Sequence, residues 1–333
     1  MGDNMAVFTK VKNLCKRFPI CAGEYQSDRR EFGGKVARLR FWDALLPRGK
    51  SRAYIEGLSD FVCRELAPIT ERYAQGDWQR PAPKQKLDKI PVWVCWWQGE
   101  DAMPPIVKAC VNQMRNLLPP EAQLQIITWD NMCDFVELPP HIMAKYESGL
   151  ITKIHLTDIL RYALVSSYGG AWIDSTVWLS HRIQDNLSGY LHQVYFTQRF
   201  PDWSCCPQEA CRGKWCNFFF MGQKECPLFS YVYEALLYWW ERHDRLIDYV
   251  MVDYVIWAGY CGVPEIKRFI DAVPANNEHI WLMAHRLNEP YQPEAFDAMM
   301  LQNDFYKLSY KGHLAEETEG RKTIYGHILE EIR

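Results

Sequence analysis

The chain has no run of residues approaching the ~18 apolar positions that a membrane-spanning helix needs. Ahead of Lys10 and Lys12 it also lacks the apolar core of a secretion signal. Both absences predict a protein that is neither inserted nor exported, so cytoplasmic. The paired C-x₂-C spacing of a tetrahedral zinc site is missing too. Cys205, Cys206, Cys211 and Cys216 come adjacent, then five apart, then five apart, and the 12 cysteines are read as reduced thiols. No internal repeat or low-complexity tract occurs. A net charge of −3 offers no electrostatic case for a nucleic-acid partner.

What is present suits a soluble globular protein. A chain of 333 residues, 48% apolar and 24% charged, buries enough surface to hold a core without disulfide or metal staples. Aromatic residues reach 14%, an excess that suits both a core and a ligand site, because flat rings bury large area at few torsions. Charge is unevenly spread. Residues 1–50 carry eleven Lys/Arg against five Asp/Glu, a balance of +6 that leaves −9 on the rest. Such a basic arm has the charge to touch an anionic membrane surface, and it equally has the pattern of a solvated helical face.

Residues 1–50 are interrupted by Pro19, Gly23, Gly33, Gly34 and Pro47, which predicts short helices and loops. From Ser51 to Tyr73, Ile55, Leu58, Val62, Leu66 and Ile69 recur at helical steps, and residues 76–89 read as a polar linker. Residues 1–89 are therefore taken as a helical, basic extension and 90–333 as the main domain. Ile90–Trp97 is a buried strand, Pro104-Pro105 opens a helix through Leu118, and Leu124–Trp129 is a second strand. That is a βαβ unit with parallel strands. A helix over 154–167 follows, stopped by Gly169-Gly170, then the strand Ala171–Ile173 and an extended run over 176–179. Strands over 193–197 and 217–221, helices over 227–242 and 248–260, and a strand over 306–311 complete the reading, with an irregular loop over 200–214.

A carboxylate just past the end of a buried strand is rigidly placed and points into the crevice where α/β sheets bind ligands. Asp174 has that place. Asp158 and Arg161, three apart on the preceding helix, share a face and can divide the recognition of hydroxyls, although the same spacing makes a plain surface ion pair. His155 and the pair Trp239-Trp240 are discounted, the first as a hydrogen-bonded helix-start residue and the second as core.

The run His155–Leu164 followed by Tyr168-Gly169-Gly170-Ala171-Trp172-Ile173-Asp174-Ser175-Thr176 resembles the S-D-x-x-R-Y…Y-G-G-x-Y-x-D-x-D block of DXD-type glycosyltransferases of family 32 and its clostridial-toxin relatives. With Trp93–Gly99 added, it is closer still to the bacterial capsular polysaccharide synthesis proteins. The resemblance is strong over residues 91–179 and weak to about 308.

The resemblance implies an α/β, GT-A-like nucleotide-sugar-binding fold with a mainly parallel central sheet. It implies a hexosyltransferase that moves a sugar from a UDP- or GDP-sugar to a capsular or other cell-surface glycan, lipid-linked and at the inner face of the plasma membrane. Retention of configuration is implied as well; the alternative is a non-catalytic nucleotide- or glycan-binding protein on the same fold. Trp96 and Trp97 would face the nucleotide. Asp158, Arg161, Tyr162, Gly169, Gly170, Asp174, Ser175 and Thr176 would bind the donor. Asp174 matches the first DXD carboxylate, but Thr176 stands at the third position, where a hydroxyl is a poorer ligand for Mn²⁺ or Mg²⁺. Either another acid completes the site, with Asp253 the candidate as catalytic and metal-binding partner to Asp174, or cations serve the diphosphate. Lys307 and Lys311, of one parity on the expected last strand, are candidate clamps, and Asn217 is a candidate for sugar binding.

Overall fold

The computed structural model describes residues 2–46, 50–207 and 209–330, with side chains from residue 16 onward within the first helix. Pro47, read above as a breaker, lies outside them. The N-terminal region is more regular than its prolines and glycines predict. Helix α1 runs Gly2–Leu45 with Pro19 inside it, and only Gly33, at φ 82° and ψ 168°, leaves helical geometry. That conformation is open to glycine and strained for other residues, and it folds the helix back so that Phe18 meets Phe41 at 5.9 Å between ring centroids. The amphipathic stretch becomes two helices, α2 (Arg52–Glu65) and α3 (Ala67–Ala74), with Pro68 in the first turn of the second. Ile55, Leu58, Val62, Leu66 and Ile69 are all buried.

The α/β body follows. Strand β1 (Ile90–Cys95), helix α4 (Pro105–Leu117) and strand β2 (Ala122–Ile127) form the expected unit, β1 and β2 pairing parallel from Ile90–Ala122 to Cys95–Ile127. Short helices α5 (Met132–Phe135) and α6 (Pro140–Glu147) lead to α7 (Lys153–Tyr168), then to β3 (Gly170–Ile173) and β4 (Val177–Leu179). Helix α8 (Leu187–Leu191) precedes β5 (Tyr195–Thr197) and β6 (Phe219–Gly222). Helices α9 (Pro227–Arg242), α10 (Met251–Gly262), α11 (Pro264–Ala272), α12 (Leu282–Arg286) and α13 (Pro293–Met300) come next. The chain ends in β7 (Phe305–Lys307), the hairpin β8 (Glu317–Thr318) and β9 (Arg321–Lys322), and α14 (Ile324–Glu330).

The central sheet has the order β2-β1-β3-β6-β5. Strand β3 is parallel to β1, while β6 is antiparallel to both β3 and β5. Four strands therefore point one way and β6 alone is reversed, a mixed α/β architecture with a mainly parallel sheet and N-terminal helices. Helix α7 packs on α9, and α2 and α3 pack on α10. Trp93, Trp172, Trp239 and Trp240 are buried in this core, each contributing on the order of 2–3 kcal/mol through lost water contact. The last strand is shorter than expected. Strand β7 stops at Lys307 and pairs with β4 in a separate two-stranded ribbon, Lys307 opposite Val177.

Candidate functional site

Strand β3 ends at Ile173, so Asp174 emerges at the carboxyl end of the parallel strands, the end where β1 delivers Trp96. Its backbone N–H donates to the Phe218 carbonyl at 2.9 Å, and its own carbonyl accepts from Val177 N–H, turning the chain into β4. The ribbon of β4 and β7 then carries Lys307 back over the turn. Its ammonium donates to Asp174 Oδ2 at 2.9 Å and to Thr176 Oγ1 at 2.6 Å. Trp172, two residues before Asp174 and thus on the same strand face, donates its indole N–H to Asp174 Oδ1 at 2.9 Å.

Helix α7 supplies the second acid and the second cation. Arg161 Nη2 lies 3.2 Å from Asp158 Oδ1 and 3.7 Å from Asp174 Oδ1. Its Nη1 donates to the Asn217 carbonyl, and the guanidinium lies over the Trp172 ring at 5.0 Å. Two carboxylates and two cations thus meet between α7, β3 and β7. Burial pushes Asp158 up to about 6 against the pull of Arg161. Burial also acts to raise Asp174, but the nearby Lys307 and Arg161 charges outweigh it and hold that carboxyl below its ordinary value. Asp174 therefore stays ionised while Asp158 is poised to take a proton in mild acid. Two buried donors, Arg161 Nε and Trp96 Nε1, have no protein partner. Unpaired buried N–H groups are costly, and a ligand's oxygens are a ready explanation for them.

The remaining expected residues divide. Tyr162 is buried, stacked on Phe220, and donates to Asn217 Oδ1 at 2.7 Å. Asn217 Nδ2 donates to Asp253 Oδ1 at 2.6 Å, and Trp215 Nε1 donates to the same oxygen at 2.9 Å. The Asn217 amide is thus engaged at both ends, and Asp253 is buried behind it, pushed up to about 7 by that burial. This layer holds Arg161 in place from behind. It offers Asp253 no contact with Asp174. Ser175 and Thr176 are buried at the turn.

Two expectations about placement are corrected. Gly169 and Gly170 stand at the opposite end of β3 from Asp174, so they do not join the carboxylates. A Cβ on Gly170 would lie 2.0 Å from the Pro91 carbonyl oxygen, which assigns that glycine to packing between strands. Lys311 does not share a strand with Lys307, because β7 has ended; it is exposed beyond a bend in which its backbone N–H meets Ser309 Oγ. Trp97 donates its indole N–H to Thr157 Oγ1 at 2.8 Å and lies against the Trp129 ring, whereas Trp96 packs edge-on against Tyr310. His155 is buried between Thr152 Oγ1 and the Tyr249 carbonyl, and the cysteines whose side chains are described are free thiols. Trp172, Trp215 and Phe218 were not among the expected site residues. Only for Trp172 did the sequence hold a signal, its two-residue offset from Asp174.

The donor set bears directly on a divalent cation. Both DXD-like positions, Asp174 and Thr176, are committed to an ammonium, and Arg161 stands beside them. Among the described residues no group of three His, Cys, Asp or Glu side chains is disposed to hold a metal ion. A second positive ion against this cluster meets repulsion from two cations already in place, so the residues do not fit one.

The profile of the family described as "Capsular polysaccharide synthesis protein" matches residues 61–328. The chain belongs to that family. The matched span takes in the whole sheet and every member of the charged cluster. An O-glycosyltransferase, PaGT, from Phomopsis amygdali is 26% identical over 159 residues, which is 45% of this chain and 38% of the relative's length. No solved structure shows significant similarity.

Proposed function

We propose that this family member is a glycosyltransferase of DXD-related, GT-A-like type that moves a hexose from a UDP- or GDP-sugar to a cell-surface glycan. The observation that carries the reading is the meeting of Asp158, Arg161, Asp174 and Lys307 at the carboxyl end of β3. The family membership and the similarity to an O-glycosyltransferase support it. Asp158 and Asp174 have the acceptor oxygens to hold sugar or ribose hydroxyls. Lys307 and the unpaired Nε of Arg161 have the positive charge to meet a diphosphate. Trp96, with Tyr310 beside it, is the surface for the nucleotide.

We read the reaction as independent of a divalent cation, with the Lys307 ammonium in the position a metal would take. In a retaining transfer the anomeric carbon–phosphate oxygen bond breaks and the glycosidic bond forms on the same face. The acceptor hydroxyl's proton passes to the leaving phosphate oxygen, and the electron pair of the broken bond stays on that oxygen. No separate general base is needed, which suits a site whose nearby His155 is already engaged.

For a lipid-linked acceptor at the inner face of the plasma membrane, the arm α1 supplies a contact surface. Phe18, Ile20 and Trp42 are exposed there beside the exposed Lys16, Arg17 and Arg38, the pairing of apolar anchors with cations that anionic lipid attracts. Among the described residues no helix is long and apolar enough to cross a membrane. Co-sedimentation with phosphatidylcholine vesicles, with and without phosphatidylglycerol, reads this contact; equal recovery in both removes the electrostatic part.

Release of nucleoside diphosphate from a panel of UDP-glucose, UDP-galactose, UDP-N-acetylglucosamine and GDP-mannose tests the activity. At least one donor is expected to turn over, and Asp174→Asn and Asp158→Asn to abolish it. Full activity in both variants removes the assignment, and calorimetric binding of a donor without turnover replaces it with a sugar-nucleotide-binding protein.

A further inference from the structure

Two aromatic pairs stand near the carboxyl end of the parallel strands. On the β1 side, Trp96 meets Tyr310 at 5.5 Å between ring centroids. On the β6 side, Phe218 meets Trp281 at 5.7 Å with the planes 56° apart. The second pair is tied to the charged cluster through backbone and side chain alike. Phe218 accepts the Asp174 N–H, and the Lys307 N–H donates to Ile280, the residue before Trp281, at 2.8 Å. The Lys307 ammonium stands 5.3 Å from the Phe218 ring. Trp281 is nonetheless 44% exposed, whereas Trp172, Trp178 and Trp215 nearby in the chain's core are at most 2% exposed.

A single exposed apolar side chain on a protein surface means little. Trp281 differs because it extends the half-buried Phe218 ring outward from the turn at Asp174. A flat indole face beside charged groups suits the C–H face of a pyranose, whose apolar side gains from contact while its hydroxyls stay on polar neighbours. The two pairs are not equivalent. The parallel βαβ half of the sheet lies on the Trp96 side, where such sheets seat nucleotides, and the buried, unpartnered Trp96 Nε1 adds a donor for a base or ribose oxygen. The β6 side is left for the second substrate.

We propose that Trp281, backed by Phe218, is the platform on which the acceptor sugar stacks, so that Trp281 sets acceptor affinity while leaving the donor's binding untouched. The inference rests on the transferase reading above. Its test separates the two. Donor hydrolysis without acceptor is measured first, then its stimulation by methyl α- and β-glycosides of glucose, galactose and mannose, whose methyl group brings no ring of its own to the indole. In the wild type at least one glycoside stimulates turnover. Trp281→Ala raises the KM for that glycoside about tenfold, a loss of about 1.4 kcal/mol, with acceptor-free hydrolysis and donor KM within about twofold of wild type. Trp281→Phe restores most of the affinity. An unchanged glycoside KM in Trp281→Ala overturns the proposal, as does a raised donor KM with the glycoside KM fixed. A wild type that hydrolyses donor and responds to no glycoside overturns it too. Should no donor be hydrolysed at all, the transferase reading fails. Saturation-transfer NMR with the same glycosides still reads the platform, a signal lost in Trp281→Ala supporting it and an equal signal in both proteins removing it.

Discussion

Lys307 reaches Asp174 from the far end of the chain, its ammonium 2.9 Å from Oδ2, and the same ammonium takes up Thr176 Oγ1 at 2.6 Å. The two positions that would grip a metal in a DXD motif are therefore held by a cation that is part of the protein. A threonine at position 176 suits this contact, because a hydroxyl can accept from an ammonium.

Lys307→Met is accordingly expected to lower kcat/KM for donor turnover about 100-fold or more, roughly 3 kcal/mol of lost charge stabilisation. Wild-type turnover is expected to be the same in excess EDTA as in added Mn²⁺. Inactivation by EDTA with recovery in Mn²⁺ would replace Lys307 by a metal as the diphosphate's counter-charge.

Arg161 makes a different use of its charge. It spreads over Asp158, the Asn217 carbonyl and the Trp172 face, a planar fork that lysine cannot reproduce. Arg161→Lys leaves a buried carboxylate and a buried carbonyl short of donors. It is expected to cost roughly 2–4 kcal/mol of stability, read from the urea midpoint, and to reduce turnover by a larger factor than stability alone explains at temperatures well below unfolding. A variant as stable as wild type would show that the Asp158 and Asn217 contacts are not structural.

The βαβ unit was legible because β1 is a short continuous apolar run, α4 has a strong helical period, and Pro105 marks a helix start. The spacing of Asp158 and Arg161 and the place of Asp174 past a strand end could be read locally, but that spacing equally fits a surface ion pair, and it was the family resemblance that singled the three out. Lys307 was legible as a cation of the right strand. Its partner Lys311 was misplaced because strand length is set by pairing, and β4 offers β7 only three residues to pair with. Helix α1 was misread because Pro19 and the glycines were weighed as breakers, whereas the folded chain leaves helical geometry at Gly33 alone. The platform at Trp281 and the layer of Trp215, Asn217 and Asp253 had no local signature, since each depends on side chains dozens of residues apart.

The glycine pair gives a stability test with a built-in control. Gly170 has φ 86°, and a Cβ there would meet Pro91 backbone at 2.0 Å, so neither dihedral adjustment nor a side-chain shift relieves the clash. Gly170→Ala is expected to destabilise by more than about 3 kcal/mol. Gly189→Ala, on α8 with open space around its Cβ, is expected to be neutral or to stabilise by about 0.5 kcal/mol. Equal melting temperatures for the two variants would mean that β3 does not approach β1 as closely as these residues require.

Asp253 gives a pH signature. Burial raises its carboxyl from 3.8 to about 7, with the Trp215 and Asn217 hydrogen bonds opposing the rise. The unfolded chain ionises this group near pH 4, so between about pH 4 and 7 the folded state binds more protons than the unfolded one, and its contribution to stability falls as pH rises through that window and levels off above it. Asp253→Asn removes the titration and keeps a side-chain oxygen for both donors. The melting temperature of the variant relative to wild type is therefore expected to climb from pH 5 to pH 8. A relative melting temperature that is flat, or that falls with pH, would mean that Asp253 is ionised in the fold at neutral pH. The carboxylate would then carry a charge directly behind Asn217 and Arg161 in place of a neutral, hydrogen-bonded support.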